Sequence, residues 1–164
     1  MRLLSRPLCL LLPVLASCSG GGSSSGPVAP PAATCQDPIP TVLSAARFST
    51  GLLPLLQTTC GSATSTCHGA VTVPGGHFSF ATGPSRTAQD VYNDLVGVPP
   101  SSAPLGQGWM RVKPSDPAKS WIVEKVSSDS PGGGYGARMP LQGQNLCPTS
   151  IDNLKAWIQN GAPY

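Results

Sequence analysis

Cys60 and Cys67 have six residues between them, and His68 follows the second thiol at once. A single Met-Pro pair, Met139-Pro140, comes seventy-one residues after that histidine. In this order the residues supply what a covalently held haem takes from a chain: two sulfurs for thioether bonds, an imidazole for one side of the iron and a thioether for the other. The usual attachment motif has only two residues between its cysteines. Here Gly61, Ser62, Ala63, Thr64, Ser65 and Thr66 intervene, and residues this small let the segment bulge outward while both sulfurs reach one porphyrin. The same thiols also permit a disulfide across a small loop, typically worth about 2 to 4 kcal/mol in an oxidising compartment. Either fate ties Cys60 to Cys67, so this stretch constrains the fold more than any other.

The N-terminus predicts export from the cytoplasm. Arg2 and Arg6 precede an apolar run, Leu8 to Leu15, that is too short to span a bilayer and reads as a secretory signal. Its end, Leu15-Ala16-Ser17-Cys18, has the form of a lipobox, in which the cysteine is lipidated and becomes the first mature residue. Residues 1–17 are then the signal and Cys18 the membrane anchor; the plainer alternative is cleavage near Ala16 with a free thiol. Residues 19–33 are almost wholly Gly, Ser, Pro and Ala, which cannot build a core, so 18–34 reads as a lipidated cysteine and flexible tether. Residues 35–164 make one domain. The expected location is the periplasmic or cell-surface side of a bacterial membrane.

Removing Arg2 and Arg6 takes the ten basic residues to eight against seven acidic, a net charge of +1. That balance gives no footprint for nucleic acid. Gly and Pro number 19 each while aromatics are 5% of the chain, so the domain is loop-rich and short of large core side chains. A planar cofactor or disulfides would make up that deficit.

Four short helices are expected. Leu52, Leu53, Leu55 and Leu56, with Pro54 near the start, predict one over 50–59 that delivers Cys60. Residues 69–83 read as a loop with a little extended structure. Thr87 and Asp90 have capping-box spacing before Val91, Tyr92, Leu95 and Val96, which predicts a helix over 88–96. Pro99, Pro100 and residues 101–108 form a loop. The spacing of Trp121, Ile122, Lys125 and Val126 predicts a helix from Asp116 or Pro117 to Val126, stopped by residues 127–136. Thr149 to Asp152 can cap a last helix carrying Ile151, Leu154, Trp157 and Ile158 on one face, with Asn160-Gly161 as its left-handed stop.

From Leu52 onward the chain resembles the cytochrome-c-like domains of exported bacterial lipoproteins of the myxobacterial type. The resemblance rests on an ordered set: Leu53-Pro54-Leu55-Leu56 before Cys60, Cys67-His68-Gly69, and Val91-Tyr92-Asn93-Asp94-Leu95-Val96. It continues through Arg111-Val112-Lys113-Pro114-Ser115-Asp116-Pro117, Ser120-Trp121, Arg138-Met139-Pro140-Leu141 and Ala156-Trp157-Ile158-Gln159-Asn160-Gly161-Ala162. It implies a small all-α domain holding one heme c, with Cys60 and Cys67 in thioether bonds and His68 and Met139 as axial ligands. Both iron positions are then filled, which suits single-electron transfer to redox partner proteins rather than enzymatic catalysis.

Other residues have plainer roles. Outside the signal and anchor, four cysteines allow three disulfide connectivities, and the simplest allocation ties Cys35 to Cys147. His77 is a solvated loop histidine or a substitute ligand, and Met110 is core filler or a rival to Met139. Arg111 and Lys113 are a solvated basic pair unless they approach haem propionates, and Trp121 and Trp157 belong to the core. A zinc site at Cys60, Cys67 and His68 lacks a fourth ligand, and Glu124 is the only glutamate available for acid-base chemistry. The competing class is a haem-free, disulfide-stapled module of the same shape with an interaction or structural role.

Overall fold

The computed structural model describes Cys35, Ile39 and residues 47–61, 68–69, 78–141 and 143–164, all within the unit Ala33–Tyr164. Among these residues there are four α-helices and no strand: α1 Leu53–Thr59, α2 Ala88–Leu95, α3 Trp121–Ser127 and α4 Pro148–Gln159. The fold is all-α. No helix of the described residues is long and apolar enough to cross a membrane. Cys18, Cys67 and His77 lie outside the described residues.

The leucine-rich stretch forms two joined pieces. A π-type turn, Phe48–Leu52, runs into α1, and Pro54 occupies the first turn, where its missing N–H removes no helical bond. Leu52, Leu53 and Leu56 are buried, and Cys60 ends the helix by donating its N–H to the Leu56 carbonyl at 2.8 Å. In α2 the capping box is complete: Asp90 N–H reaches Thr87 Oγ1 at 3.2 Å and Thr87 N–H reaches Asp90 Oδ2 at 2.7 Å. Val91 and Leu95 point into the core.

The helix expected from residue 116 or 117 to Val126 is broken in two. Pro117–Lys119 is a single 3-10 turn, Ser120 is extended and wholly buried, and α3 starts at Trp121. Ser120 Oγ accepts Lys113 N–H at 2.8 Å and donates to the Asp116 carbonyl at 2.9 Å, so its hydroxyl serves the preceding loop rather than a continuous helix. Residues 110–112 pass between two helix ends, bridging Val96 through Val112 and Ser120 through Met110.

The last helix also starts earlier than its sequence cap suggests. Cys147 is the N-cap and Pro148 opens the first turn. Ser150 lies inside the first turn rather than at the cap; it is buried, and its hydroxyl accepts Ile39 N–H at 3.2 Å while Asn153 Nδ2 donates to the Ile39 carbonyl at 2.7 Å. Cys35 and Cys147 are joined in a disulfide, so covalent and hydrogen bonds together dock the start of the domain on α4. Gly161, at φ +91°, takes the left-handed stop after Asn160.

The core gathers around Phe48 and Trp157, both without exposure, whose rings stack at 6.1 Å. Tyr92 meets the edge of Phe48 at 5.4 Å and donates its hydroxyl to the Ala162 carbonyl at 2.9 Å, tying α2 to the C-terminus. Gly132, at φ +58°, cannot be replaced without strain: an added Cβ would lie 2.9 Å from both Pro104 and Trp121.

Two outcomes follow. Cys35→Ser with Cys147→Ser should lower the unfolding free energy in urea by about 2 to 4 kcal/mol, because the bond closes a long loop in the unfolded chain. The Asp90 carboxyl is held below its ordinary 3.8 by hydrogen bonds from the Thr87 backbone and side chain, and Asp116 by the Lys113 side chain. A carboxyl lowered on folding contributes stability that is present above its unfolded value and lost as pH falls through the folded one. Stability should therefore decline below about pH 4, and Asp90→Asn with Asp116→Asn should flatten that decline in urea titrations.

Candidate functional site

His68 sits where three pieces of chain meet. Its N–H donates to the Cys60 carbonyl at 3.3 Å, which brings these two residues together. Its own carbonyl accepts Phe80 N–H at 2.8 Å and Ser79 Oγ at 3.1 Å. Its ring packs edge-on against Phe80, with centroids 5.8 Å apart, and Nδ1 lies 2.9 Å from the Phe78 carbonyl. A carbonyl only accepts, so in the neutral imidazole Nδ1 carries the proton and Nε2 keeps the lone pair, the state in which histidine binds a metal.

Cys60 is half-buried at the end of α1, packs against the core and lies 3.5 Å from Thr59 Oγ1. Gly61, buried next to it, allows the close approach of His68: an added Cβ would sit 3.2 Å from both the His68 carbonyl and the Phe80 Cβ. Gln57, one turn earlier on α1, donates to the Phe80 carbonyl at 2.8 Å and to Thr82 Oγ1 at 3.3 Å. One face of α1 thus carries both the thiol and the side chain that holds the aromatic segment.

Met139 packs against the same core cluster as Cys60. Its loop is fastened to the end of α3, where helical carbonyls lack internal partners. Met139 N–H donates to the Lys125 carbonyl at 2.7 Å, and Arg138 Nε donates to the Val126 carbonyl at 2.9 Å. Lys125 Nζ reaches the carbonyls of Tyr135 and Ala137 at 3.2 and 3.0 Å, and burial pushes this ammonium below its ordinary value. Glu124, the sole glutamate, accepts Gly132 N–H at 2.9 Å and so has a structural task in the same loop.

Other expected residues separate. Met110 is half-buried in the bridging segment and Lys113 pairs with Asp116 at 2.9 Å. Arg111 is not part of a solvated basic pair: its guanidinium lies over the Phe78 ring at 5.1 Å, donates to the Asp94 carbonyl at 2.6 Å and is lowered by burial. Trp121 and Trp157 are buried, as core residues should be. Phe78, Phe80, Gln57 and Arg86 escaped the sequence reading. The one signal for the first two is the Phe78-Ser79-Phe80 alternation after a glycine-rich stretch. No group of three or more metal-ligating side chains occurs among the described residues.

The donor types present, a half-buried thiol at Cys60, an imidazole whose Nδ1–H faces a carbonyl and a thioether at Met139, are those an iron porphyrin takes from a protein. Gly61→Val should lower stability by about 1 to 3 kcal/mol in urea unfolding, since the added methyls would enter a closed contact with His68 and Phe80. It should also release the protected His68 amide in hydrogen exchange. No family model, curated protein or solved structure matches the chain.

Proposed function

We propose that this chain is a membrane-anchored, c-type cytochrome-like lipoprotein that binds one haem through Cys60 and Cys67 and transfers single electrons. The observation that carries the reading is the Phe78 carbonyl 2.9 Å from His68 Nδ1, which reserves Nε2 as a ligand atom on a segment closed against Cys60. In this reading His68 and Met139 would hold the iron. When bound, the haem supplies a reversible one-electron change at iron.

The chain's own residues supply the setting. Phe78 and Phe80, both buried, line one side of the half-buried imidazole, and the Phe78 carbonyl holds its Nδ1. Lys125 and Arg138 hold the methionine loop before any ligand arrives, which reduces the ordering cost of ligation. With His68 and Met139 both holding the iron, no position would be open to substrate, which suits electron transfer rather than catalysis. Cys18 anchors the chain on the outer side of a bacterial membrane, and the tether lets the domain sweep a volume in which it meets redox partners.

The second reading is a haem-free module stapled by a Cys60–Cys67 disulfide. It draws on the tight packing beside His68, where the Phe78 and Phe80 rings meet edge to face at 4.8 Å. Haem staining of the full chain on a denaturing gel separates the two, after export from a cell that carries c-type attachment machinery. A stained band that Cys67→Ala weakens and Cys60→Ala with Cys67→Ala abolishes supports the first reading. A colourless band whose mass is four hydrogens below that of the fully reduced chain, two for Cys35–Cys147 and two for Cys60–Cys67, rejects it. Independently, Cys18→Ser should move the chain from the membrane pellet to the soluble fraction.

A further inference from the structure

The segment that orients His68 is itself gripped from outside by two arginines sharing one aspartate. Arg86 Nη2 donates to the Ser79 carbonyl at 3.1 Å, and Arg86 Nη1 pairs with Asp94 Oδ2 at 2.8 Å. The Asp94 main-chain carbonyl accepts Arg111 Nη1 at 2.6 Å, and the Arg111 guanidinium covers the Phe78 ring at 5.1 Å. The peptide unit between Ser79 and Phe80 is thereby held at both ends: its carbonyl by Arg86, its N–H by the His68 carbonyl at 2.8 Å. With that plane fixed, the preceding carbonyl, that of Phe78, is set against Nδ1 of the imidazole.

Arg86 holds this place at a cost. Its Nε is buried with no hydrogen-bond partner among the described residues. A buried donor left unpaired is unfavourable, and a lysine would have a methylene in place of Nε. What arginine offers instead is a rigid planar fork that reaches a carboxylate and a carbonyl together.

We propose that Arg86 and Asp94, assisted by Arg111, are positioning residues for His68: through the Ser79–Phe80 peptide they hold the Phe78 carbonyl that keeps the imidazole in its Nδ1–H form. The functional meaning of this clamp rests on the proposed role of His68 as an iron ligand. The clamp's effect on the ring does not, and it can be measured without haem.

The test is histidine-selective ¹⁵N NMR on the full chain prepared without haem, with His77→Gln assigning the second imidazole. In the parent the Nδ1–H form of His68 should dominate by ~10-fold or more. Arg86→Gln and Asp94→Asn should bring the two tautomers within ~3-fold of each other, the change expected from weakening one hydrogen bond. Arg86→Lys keeps the charge and loses the fork, so it should relax the tautomer as well, and it decides the matter should Arg86→Gln fail to fold. Val91→Ala weakens the core under α2 without touching a bond of this network. It should lower stability and leave the tautomer ratio unchanged. A single Nδ1–H tautomer retained in Arg86→Lys, or equal relaxation in Val91→Ala, overturns the proposal. Because the readout needs no iron, a chain that never acquires haem still gives a decisive answer.

Discussion

Backbone amides and carbonyls in a folded chain must be paired or stay wet, and this domain has more loop than helix in which to meet that demand. It meets it with single polar side chains, each spanning from a helix to a neighbouring connection. Gln57 takes the Phe80 carbonyl, Ser120 the Lys113 amide, Glu124 the Gly132 amide, and Asn153 the Ile39 carbonyl. Lys125 alone serves two carbonyls of the loop before Met139. Large apolar side chains are scarce, and they concentrate around Phe48 and Trp157. The loops are therefore shaped less by burial than by these individual bonds. Loss of one partner leaves a half-buried polar group behind, so positions with no part in the core still carry a penalty of about 1 to 3 kcal/mol.

That arrangement bears on how the candidate site is built. The His68 segment and the Met139 loop are both pinned by groups of the protein itself: the first by Cys60, Ser79 and Phe80, the second by the end of α3. Neither depends on a ligand for its conformation. A site pre-formed in this way spends little binding free energy on ordering, and its donors keep their orientation whether or not they are engaged. The same bonds suit the haem-free alternative, since a histidine held this firmly also packs well. The two readings diverge at Cys60 and Cys67, not in the scaffold.

Helices with local signals were legible and those governed by tertiary contacts were not. Thr87 and Asp90 mark the start of α2 because the whole capping box lies within four residues. The buried face of α4 follows from Ile151, Leu154, Trp157 and Ile158 alone. Its true start does not, because Ser150 is recruited by Ile39, more than a hundred residues earlier. The break before α3 is hidden for the same reason: the spacing of Trp121, Ile122, Lys125 and Val126 is helical, but Ser120 is claimed by Lys113 and Asp116. Phe48 lies outside any periodic stretch, so its place at the centre of the core is invisible until the chain folds. Within the site, His68 and Cys60 stand out by type and order. Phe78, Ser79 and Arg86 act through backbone carbonyls, a role that residue type does not announce.

The wide cysteine spacing costs less than it suggests. Lengthening a flexible loop from two to six residues raises its closure entropy by only about 1 kcal/mol. The structure returns a comparable amount where the loop ends meet: His68 N–H bonds the Cys60 carbonyl, and Gly61 lets Phe80 and His68 close over the junction. The extra residues are therefore no thermodynamic obstacle to bringing the ends of the segment together, for a shared cofactor or for a bond between the sulfurs. What they alter is the sequence spacing of the two thiols. Folding sets the stage equally for both fates; the choice between them falls to the chemistry that meets the two thiols.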